Sequence, residues 1–174
     1  MIRRIVCMDF DGTMCFTPEP VEGEKIWKEK TGTVWPYTGW WSKKETLDMN
    51  IFNIPVNPFV YKKYLEAVAE DDTMVILATG RLLKLQREVE KVLKSHNLEF
   101  DLVQCNWGGE TYKFKTKLFE ELINKYKPEV FVMYDDRQDH LVQFETWARF
   151  QPCRVEIIDV TKTDKTPKII NSTK

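Results

Sequence analysis

The chain has 174 residues, 43% hydrophobic and 13% aromatic, which is enough for one domain with a substantial core and too few for two full-sized ones. Its 26 Lys and Arg against 27 Asp and Glu give a net charge of −1, which excludes a global basic field for strong non-specific binding to duplex nucleic acid or to an anionic membrane. No apolar run reaches the ~18 residues of a membrane span, and the N-terminal one is too short for a signal-peptide core, so a soluble, cytoplasmic protein is expected.

In chain order, Ile2 to Met8 reads as a strand and leads straight into Asp9-Phe10-Asp11-Gly12-Thr13. Residues i and i+2 of an extended chain share a face, so Asp9 and Asp11 converge if the extended geometry persists past the strand. Gly12 permits a sharp turn there. Two carboxylates this close repel each other, and a bound cation or a shared proton relieves them. Magnesium suits such a pair, being a hard ion that takes one or two carboxylates and keeps several waters. The same residues also make ordinary acidic turns.

The stretch from Phe16 to Val56 fits no regular alternation. It holds Trp27, Trp35, Trp40 and Trp41 together with Pro36, Tyr37, Pro55 and several glycines, and an irregular segment of this length is usually functional or flexible. Residues 17–56 therefore read here as an irregular insertion.

From Asn57 onward strand and helix patterns alternate. Asn57-Pro58 suits the cap and first turn of a helix to about Asp71, with Tyr61, Tyr64, Leu65 and Val68 on one stripe. Thr73 to Ala78 reads as a buried strand, and Leu82 to His96 as an amphipathic helix that Asn97 stops. Asp101 to Cys105 is a weaker strand. After the Gly108-Gly109 turn a helix is expected from about Tyr112 to Tyr126, with Thr111 as its cap. Val130 to Tyr134 is a strong strand, Gln138 to Phe150 a helix and Cys153 to Ile158 a last strand. Residues 161–174, polar and rich in Lys and Thr, are expected to be a flexible tail. The alternation predicts an α/β architecture, a parallel sheet joined by right-handed crossovers, in a single domain over residues 1–160. Cys7, Cys15, Cys105 and Cys153 are scattered without a Cys-x-x-Cys spacing, so neither a zinc site nor a disulfide framework is expected.

Ligands of such sheets gather outside the carboxyl ends of the strands, and each core strand ends in suitable chemistry. Thr79-Gly80-Arg81 follows the strand ending at Ala78; Arg81 suits a charge-assisted contact to a phosphate oxygen, or is a surface residue at a helix start. Asp135-Asp136-Arg137 follows Tyr134, an acidic pair that is also common in plain loops. Between them lie Lys113, Lys115 and Lys117, and helical spacing puts Lys113 and Lys117 on a common face away from Lys115.

Taken together, these four elements resemble the motifs of the haloacid dehalogenase (HAD) superfamily. The resemblance implies a Rossmannoid parallel sheet with a small cap, residues 17–56, inserted after the first strand. It implies Asp9 as the nucleophile that forms an aspartyl-phosphate and Asp11 as the acid and base; a carboxyl group placed beside the nucleophile can protonate a leaving alkoxide. Dehalogenases of the superfamily carry Tyr at the position of Asp11, and transport ATPases a Lys-Thr-Gly-Thr run after the first Asp, so Asp11 points to a phosphatase or phosphotransferase. Thr79 matches the hydroxyl that hydrogen-bonds the transferred phosphoryl group. Lys115 matches the Lys that neutralises charge on it. Magnesium is implied on Asp9, the backbone carbonyl of Asp11, and Asp136, with Asp135 as the alternative and Asp139 a weaker candidate.

Residues 82–110 leave no room for a second cap, and a site with so little roof resembles those of HAD enzymes that accept macromolecular ends or protein side chains. Within the superfamily, Gly39-Trp40-Trp41, Thr79-Gly80-Arg81, Phe114-Lys115 and Tyr134-Asp135-Asp136-Arg137, with His140 and Phe144 following, are similar to the HAD domain of Swiss Army Knife RNA-repair proteins. That family often has Glu at the position of Asp135. The Gly-Arg and Asp-Asp-Arg pieces also resemble the phosphatase domain of phage polynucleotide kinase. Both imply a magnesium-dependent phosphatase acting on nucleic-acid ends or nucleotides, with Gly80, Arg81, Trp40 and Trp41 binding substrate. Trp40 and Trp41, beside Lys43 and Lys44, either stack on unpaired bases or plug the cap against the core. His140 is a plain helix residue or a catalytic one. The alternatives are a phosphatase of a small metabolite or of a phosphoprotein such as a phosphotyrosine protein, and a HAD-fold binding module without turnover; the intact set of Asp9, Asp11 and Asp136 argues against the last.

Overall fold

Successive residues of a strand point to opposite faces of its sheet, and the strands of this protein are apolar on both. In the computed structural model, which describes residues 1–171, six strands form one sheet in the order β3-β2-β1-β4-β5-β6. They are β1 (Arg4–Met8), β2 (Thr73–Leu82), β3 (Leu102–Asn106), β4 (Val130–Asp135), β5 (Arg154–Asp159) and β6 (Lys168–Ile170). The first five run parallel, and β6 is antiparallel to β5. The helices are α1 (Pro20–Thr31), α2 (Pro58–Val68), α3 (Gln86–Ser95), α4 (Thr111–Tyr126) and α5 (Gln138–Ala148). On one face Val6, Met8, Val75 and Val132 pack with Val60 and Tyr64 of α2 and Val89 and Val92 of α3. On the other, Ile5, Cys7, Ile76 and Phe131 pack with Phe114 and Phe119 of α4 and Phe144 and Trp147 of α5. The fold is α/β, a mostly parallel sheet flanked by helices, as the sequence implies, with β6 the antiparallel exception.

Strand order places the site. The chain leaves β1 for β2 and β3 on one side, then returns to β4 on the other, which opens a crevice at the carboxyl ends of β1 and β4. The backbone N–H of Asp9 donates to the Tyr134 carbonyl at 3.1 Å and holds the two ends together.

Several element bounds differ from the sequence expectation. Asn57 caps α2 by accepting from the Phe59 N–H at 3.1 Å, and that phase buries Val60, Tyr64 and Ala67 while Leu65 and Val68 face solvent. β2 runs on to Leu82, so Thr79-Gly80-Arg81 belongs to the strand, and α3 begins only at Gln86 after a short 3-10 turn. A slip of register against β3 between Thr79 and Leu82 ends the regular ladder there. Thr111 is the first residue of α4 and Glu110 its cap position, with no side-chain cap. Thr111 instead lies against Gly80, where a Cβ would fall 2.7 Å from Thr111 Oγ1.

The expected flexible tail is corrected in its middle: Lys168, Ile169 and Ile170 pair with Ile157, Glu156 and Val155. The outer edge of β5 would otherwise present an open ladder, and Ile170 packs partly buried against the core. The last three positions of that tail, 172–174, lie outside the described residues. The segment 17–56 also holds more structure than expected. α1 has Pro20 in its first turn and Gly32 (φ 75°) at its end, but buries only Gly23, so its sequence carries no apolar stripe to announce it. Trp40 lies on Gly23, where a Cβ would fall 2.1 Å from the indole ring. With Leu47, Phe52 and Ile54, Trp40 joins the core cluster that covers the Val6 and Met8 face of β1.

Candidate active site

The carboxyl ends of β1 and β4 carry a buried ion network. Lys115 Nζ donates to Asp9 Oδ1 at 2.7 Å and to Asp135 Oδ2 at 2.8 Å. Lys115 is 2% exposed because α4 turns the same face inward that carries Phe114, Leu118 and Phe119. Its neighbours behave as surface lysines: Lys113 pairs with Glu110 at 2.7 Å, and the Lys117 ammonium stands 5.7 Å from the Trp107 ring. Burial opposes the charge on Lys115, but Asp135 and then Asp9 outweigh it and hold the ammonium above its ordinary range.

Asp9, Asp135 and Asp136 each offer a carboxylate oxygen, the three within 4.8 Å of one another. Burial comes first in pushing Asp9 up to about 8, and the Asp135 and Asp136 carboxylates add to it against the pull of Lys115. Burial, then Asp135, pushes Asp136 up to about 6. One ammonium against three crowded carboxylates leaves surplus negative charge, the environment that a hard divalent cation relieves. The donor set fits magnesium. Asp135 has both oxygens engaged, Oδ2 with Lys115 and Oδ1 with the Arg137 N–H at 2.9 Å. Asp136 faces the cleft and accepts from Thr13 Oγ1 at 3.2 Å. Gly12 makes room for it: its φ is 71°, and a Cβ there would fall 2.4 Å from Asp136 Oδ2.

The Asp11 side chain is not among these three carboxylates. The extended geometry ends at Asp9, where the chain folds back with Met14 N–H donating to the Asp9 carbonyl at 3.1 Å and Cys15 N–H to the Phe10 carbonyl at 3.0 Å. Asp11 therefore points elsewhere, to Arg81. Arg81 Nε donates to Asp11 Oδ2 at 3.0 Å and Nη2 to Oδ1 at 2.8 Å, and Thr17 Oγ1 donates to Oδ1 at 2.6 Å.

Arg81 is 2% exposed, and its remaining Nη1 edge donates to the Trp41 carbonyl at 3.0 Å and Thr46 Oγ1 at 2.7 Å. Arg81 lines the cleft, with its guanidinium held by Asp11 and by the 17–56 segment. Thr79 is buried, its Oγ1 accepting the Arg81 backbone N–H at 3.1 Å.

A cleft of about 490 Å³ opens over this network, lined by Asp9, Asp11, Lys115 and Asp136 and by Gly80 and Trp41 from the other wall. Trp41 is 39% exposed with the Arg81 guanidinium 4.9 Å from its ring. Trp40 does not reach the cleft. It is 4% exposed, its Nε1 donates to the Pro18 carbonyl at 2.9 Å, and Trp35 and Phe52 pack around it, so the plug reading holds for Trp40. Sequence reasoning gave no role to Thr13, although it closes the Asp9-Phe10-Asp11-Gly12-Thr13 run, and missed Thr17 and Thr46, since a lone Thr carries no motif; their hydroxyls fix Asp136, Asp11 and Arg81. Glu19, Thr111, Arg137 and His140 also line the cleft. Asp139 is turned to Arg137, 2.7 Å from Nη2.

Comparison with known proteins bears on the family and the fold. A model of the family described as HAD domain family 1 in Swiss Army Knife RNA repair proteins matches residues 20–172, a span that begins after Asp9 and Asp11. No protein of curated function matches the sequence. Among solved structures, two chains of Pnkp1/Rnl/Hen1 RNA repair complexes are similar at TM-scores of 0.56 and 0.58 with 20% and 22% identity. The matches cover 91% and 87% of this chain but 44% and 45% of those, so the chain spans less than half their length. A HAD-superfamily hydrolase of subfamily IA from Geobacter sulfurreducens PCA matches at a TM-score of 0.54 and 10% identity, over 91% of this chain and 86% of that one. A HAD-family hydrolase from Salmonella enterica subsp. enterica serovar Typhi matches at 0.51 and 11%, over 80% of this chain and 58% of that one. At these identities the likeness is one of fold. No helix among the described residues is long and apolar enough to cross a membrane.

Proposed function

The chain belongs to the HAD domain family 1 found in Swiss Army Knife RNA repair proteins, and from that premise we propose that it is a magnesium-dependent phosphatase of nucleic-acid ends or nucleotides, working through an aspartyl-phosphate. The observation that carries this reading is the buried Lys115 bridging Asp9 and Asp135 beside a cleft onto which Asp136 opens.

Asp9 would attack phosphorus. Lys115 holds its Oδ1, which leaves Oδ2 for the new P–O bond as the bond to the leaving oxygen breaks. Lys115 and the Thr79 hydroxyl offset charge on the equatorial oxygens. Asp11 gives a proton to the leaving oxygen, then takes one from the water that attacks the aspartyl-phosphate and regenerates Asp9. Arg81 fixes the orientation of the Asp11 carboxylate with two hydrogen bonds. Asp9, Asp136 and the Asp11 backbone carbonyl would hold magnesium, with Asp135 fixing Lys115 beside them. Bound there, the ion would neutralise the surplus carboxylate charge and polarise the phosphoryl group. Residues 17–56 act as a small cap.

The test is phosphate release from 3′- and 5′-phosphorylated oligonucleotides, mononucleotides, an aryl phosphate and phosphotyrosine, with and without magnesium. Turnover that needs magnesium, favours the nucleotide substrates and vanishes in Asp9→Asn is the expected result. Full activity in Asp9→Asn overturns the mechanism, and a preference for phosphotyrosine overturns the substrate class.

A further inference from the structure

The proposed chemistry uses Asp9, Asp11, Thr79, Lys115 and Asp136. Three other side chains on the cleft wall, Thr111, Arg137 and His140, have no part in it. We propose that they form a second phosphate subsite, which takes a phosphodiester or second phosphomonoester of the same substrate, so that the preferred ligand is a nucleotide or polynucleotide end bearing two phosphates. This rests on the phosphatase reading above and names its substrate class.

His140 is the anchor. It is 5% exposed, and neither ring nitrogen makes a hydrogen bond among the described residues. Nδ1 is sealed from solvent without a partner, and Nε2 stands 3.9 Å from Asp139 Oδ2, beyond hydrogen-bond range. A ligand on Nε2 leaves Nδ1 unpaired, so the sealed Nδ1 bears on the tautomer and Nε2 is the atom open to a partner. Two other sealed atoms share this state, Trp27 Nε1 and Arg154 Nε, and neither residue lines the cleft. A buried N–H without an acceptor is rarer than an unfilled acceptor, so the ring proton belongs on Nε2, the nitrogen left within reach of a ligand.

Arg137 is oriented for the same task. Its Nε and Nη2 edge is tied to Asp139 at 3.3 and 2.7 Å, which leaves the Nη1 end free on a side chain 51% exposed. Its backbone N–H is fixed to Asp135, so the guanidinium starts from the same rigid corner as the acidic cluster. The elements add to this. α4 begins at Thr111 and α5 directly after Arg137, and neither has a side-chain cap, so first-turn N–H groups at both helix starts are left for an anion.

Charge places the second phosphate on this wall. Glu19 on the lining would repel it, and of the two paired arginines Arg137 keeps a half-exposed guanidinium whereas that of Arg81 is buried against Asp11, Thr46 and the Trp41 carbonyl. The volume of about 490 Å³ lies in the range of sites that enclose a whole small molecule rather than one phosphoryl group.

The test is calorimetric binding to the full chain, in the Asp9→Asn background so that no turnover intervenes, of a nucleoside 3′,5′-bisphosphate and the matching 3′- and 5′-monophosphates. The bisphosphate is expected to bind at least tenfold tighter than either monophosphate. His140→Ala and Arg137→Ala are each expected to remove most of that preference, and His140→Gln, which restores an N–H donor, to recover part of it. Equal affinities in the parent protein, or a preference that survives both alanine variants, overturns the subsite. Arg137 is exposed enough that its variant folds even if His140→Ala does not. Aryl phosphate turnover by the wild type reads the phosphatase reading separately, so the two can fail independently.

Discussion

The acidic corner and the tryptophan-rich segment lie on either side of one cleft and are built by opposite means. In the corner, charge does the positioning: Lys115 is held by two carboxylates, Asp135 by Lys115 and a backbone N–H, and Asp136 by Thr13 and the space above Gly12. In the segment, shape does it: Trp27, Trp35, Trp40 and Phe52 pack in series with centroids 4.7 to 5.8 Å apart, and Trp40 fills the gap over Gly23. A change in the corner should therefore alter chemistry before stability, and a change in the segment the reverse. Arg81 belongs to both, gripping Asp11 with one edge and Thr46 and the Trp41 carbonyl with the other.

The sharpest way to break this division is a pair of variants. Trp40→Ala removes a ring that is 4% exposed and should cost about 4 kcal/mol, read as a lower urea midpoint. Asp9→Asn should shift the same midpoint by less than about 1 kcal/mol in metal-free protein. It loses an ion pair to Lys115, but Lys115 keeps Asp135, and the repulsion of Asp9 from Asp135 and Asp136 is relieved. If Asp9→Asn proves the less stable variant, the corner is structural and the division fails.

Arg81→Lys comes next. An ammonium keeps the charge but not the fork that meets Asp11 with two parallel bonds while holding Thr46. A loss of about 2 kcal/mol is expected, below the cost of breaking a fully buried pair because the Asp11 side chain is 20% exposed. Turnover should fall as well, and more for alkyl than for aryl phosphates, since an alkoxide needs the Asp11 proton and a nitrophenolate does not. Equal losses on both substrate types would mean that Arg81 acts on stability alone.

The same division explains what the sequence made legible. Strands of β-branched and apolar residues, each ending in Asp, Thr or an acidic pair, announce both the sheet and the corner, because hydrophobic period and motif spacing are local. Helical phase sets Lys115 apart from Lys113 and Lys117, the family resemblance chooses it, and the structure buries it and exposes Lys113. The segment was opaque. α1 buries one glycine and so shows no period, and the role of Arg81 depends on Thr46 and Trp41, contacts that no local pattern encodes. The convergence of the Asp9 and Asp11 side chains fails its own condition: the i, i+2 rule holds only while the chain stays extended, and hydrogen bonds from Met14 and Cys15 end that at Asp9, although both residues line the cleft. The strand β6 escaped notice because three residues in a Lys- and Thr-rich tail carry too little pattern to separate from a loop.

Metal binding sharpens the corner further. Magnesium at ten times its Kd should stabilise the protein by about 1.4 kcal/mol, seen as a higher thermal midpoint. Asp136→Asn should abolish that gain while raising the metal-free midpoint, since it removes a charge crowded by Asp135.

Trp41→Ala carries the smallest effect and the finest distinction. Trp41 is next in sequence to the core plug Trp40, yet it faces the cleft with the Arg81 guanidinium 4.9 Å from its ring. Losing a half-exposed cation–π contact should cost about 0.5 to 1 kcal/mol, far less than Trp40→Ala. If a base of the substrate packs on the ring, KM for an oligonucleotide phosphate should rise several-fold while the aryl phosphate is little affected, because only the former carries a base to stack. An equal rise for both substrates would instead assign Trp41 to holding Arg81, and through it Asp11. A stability loss as large as that of Trp40→Ala would return Trp41 to the packed segment, and the cleft would then have no aromatic wall.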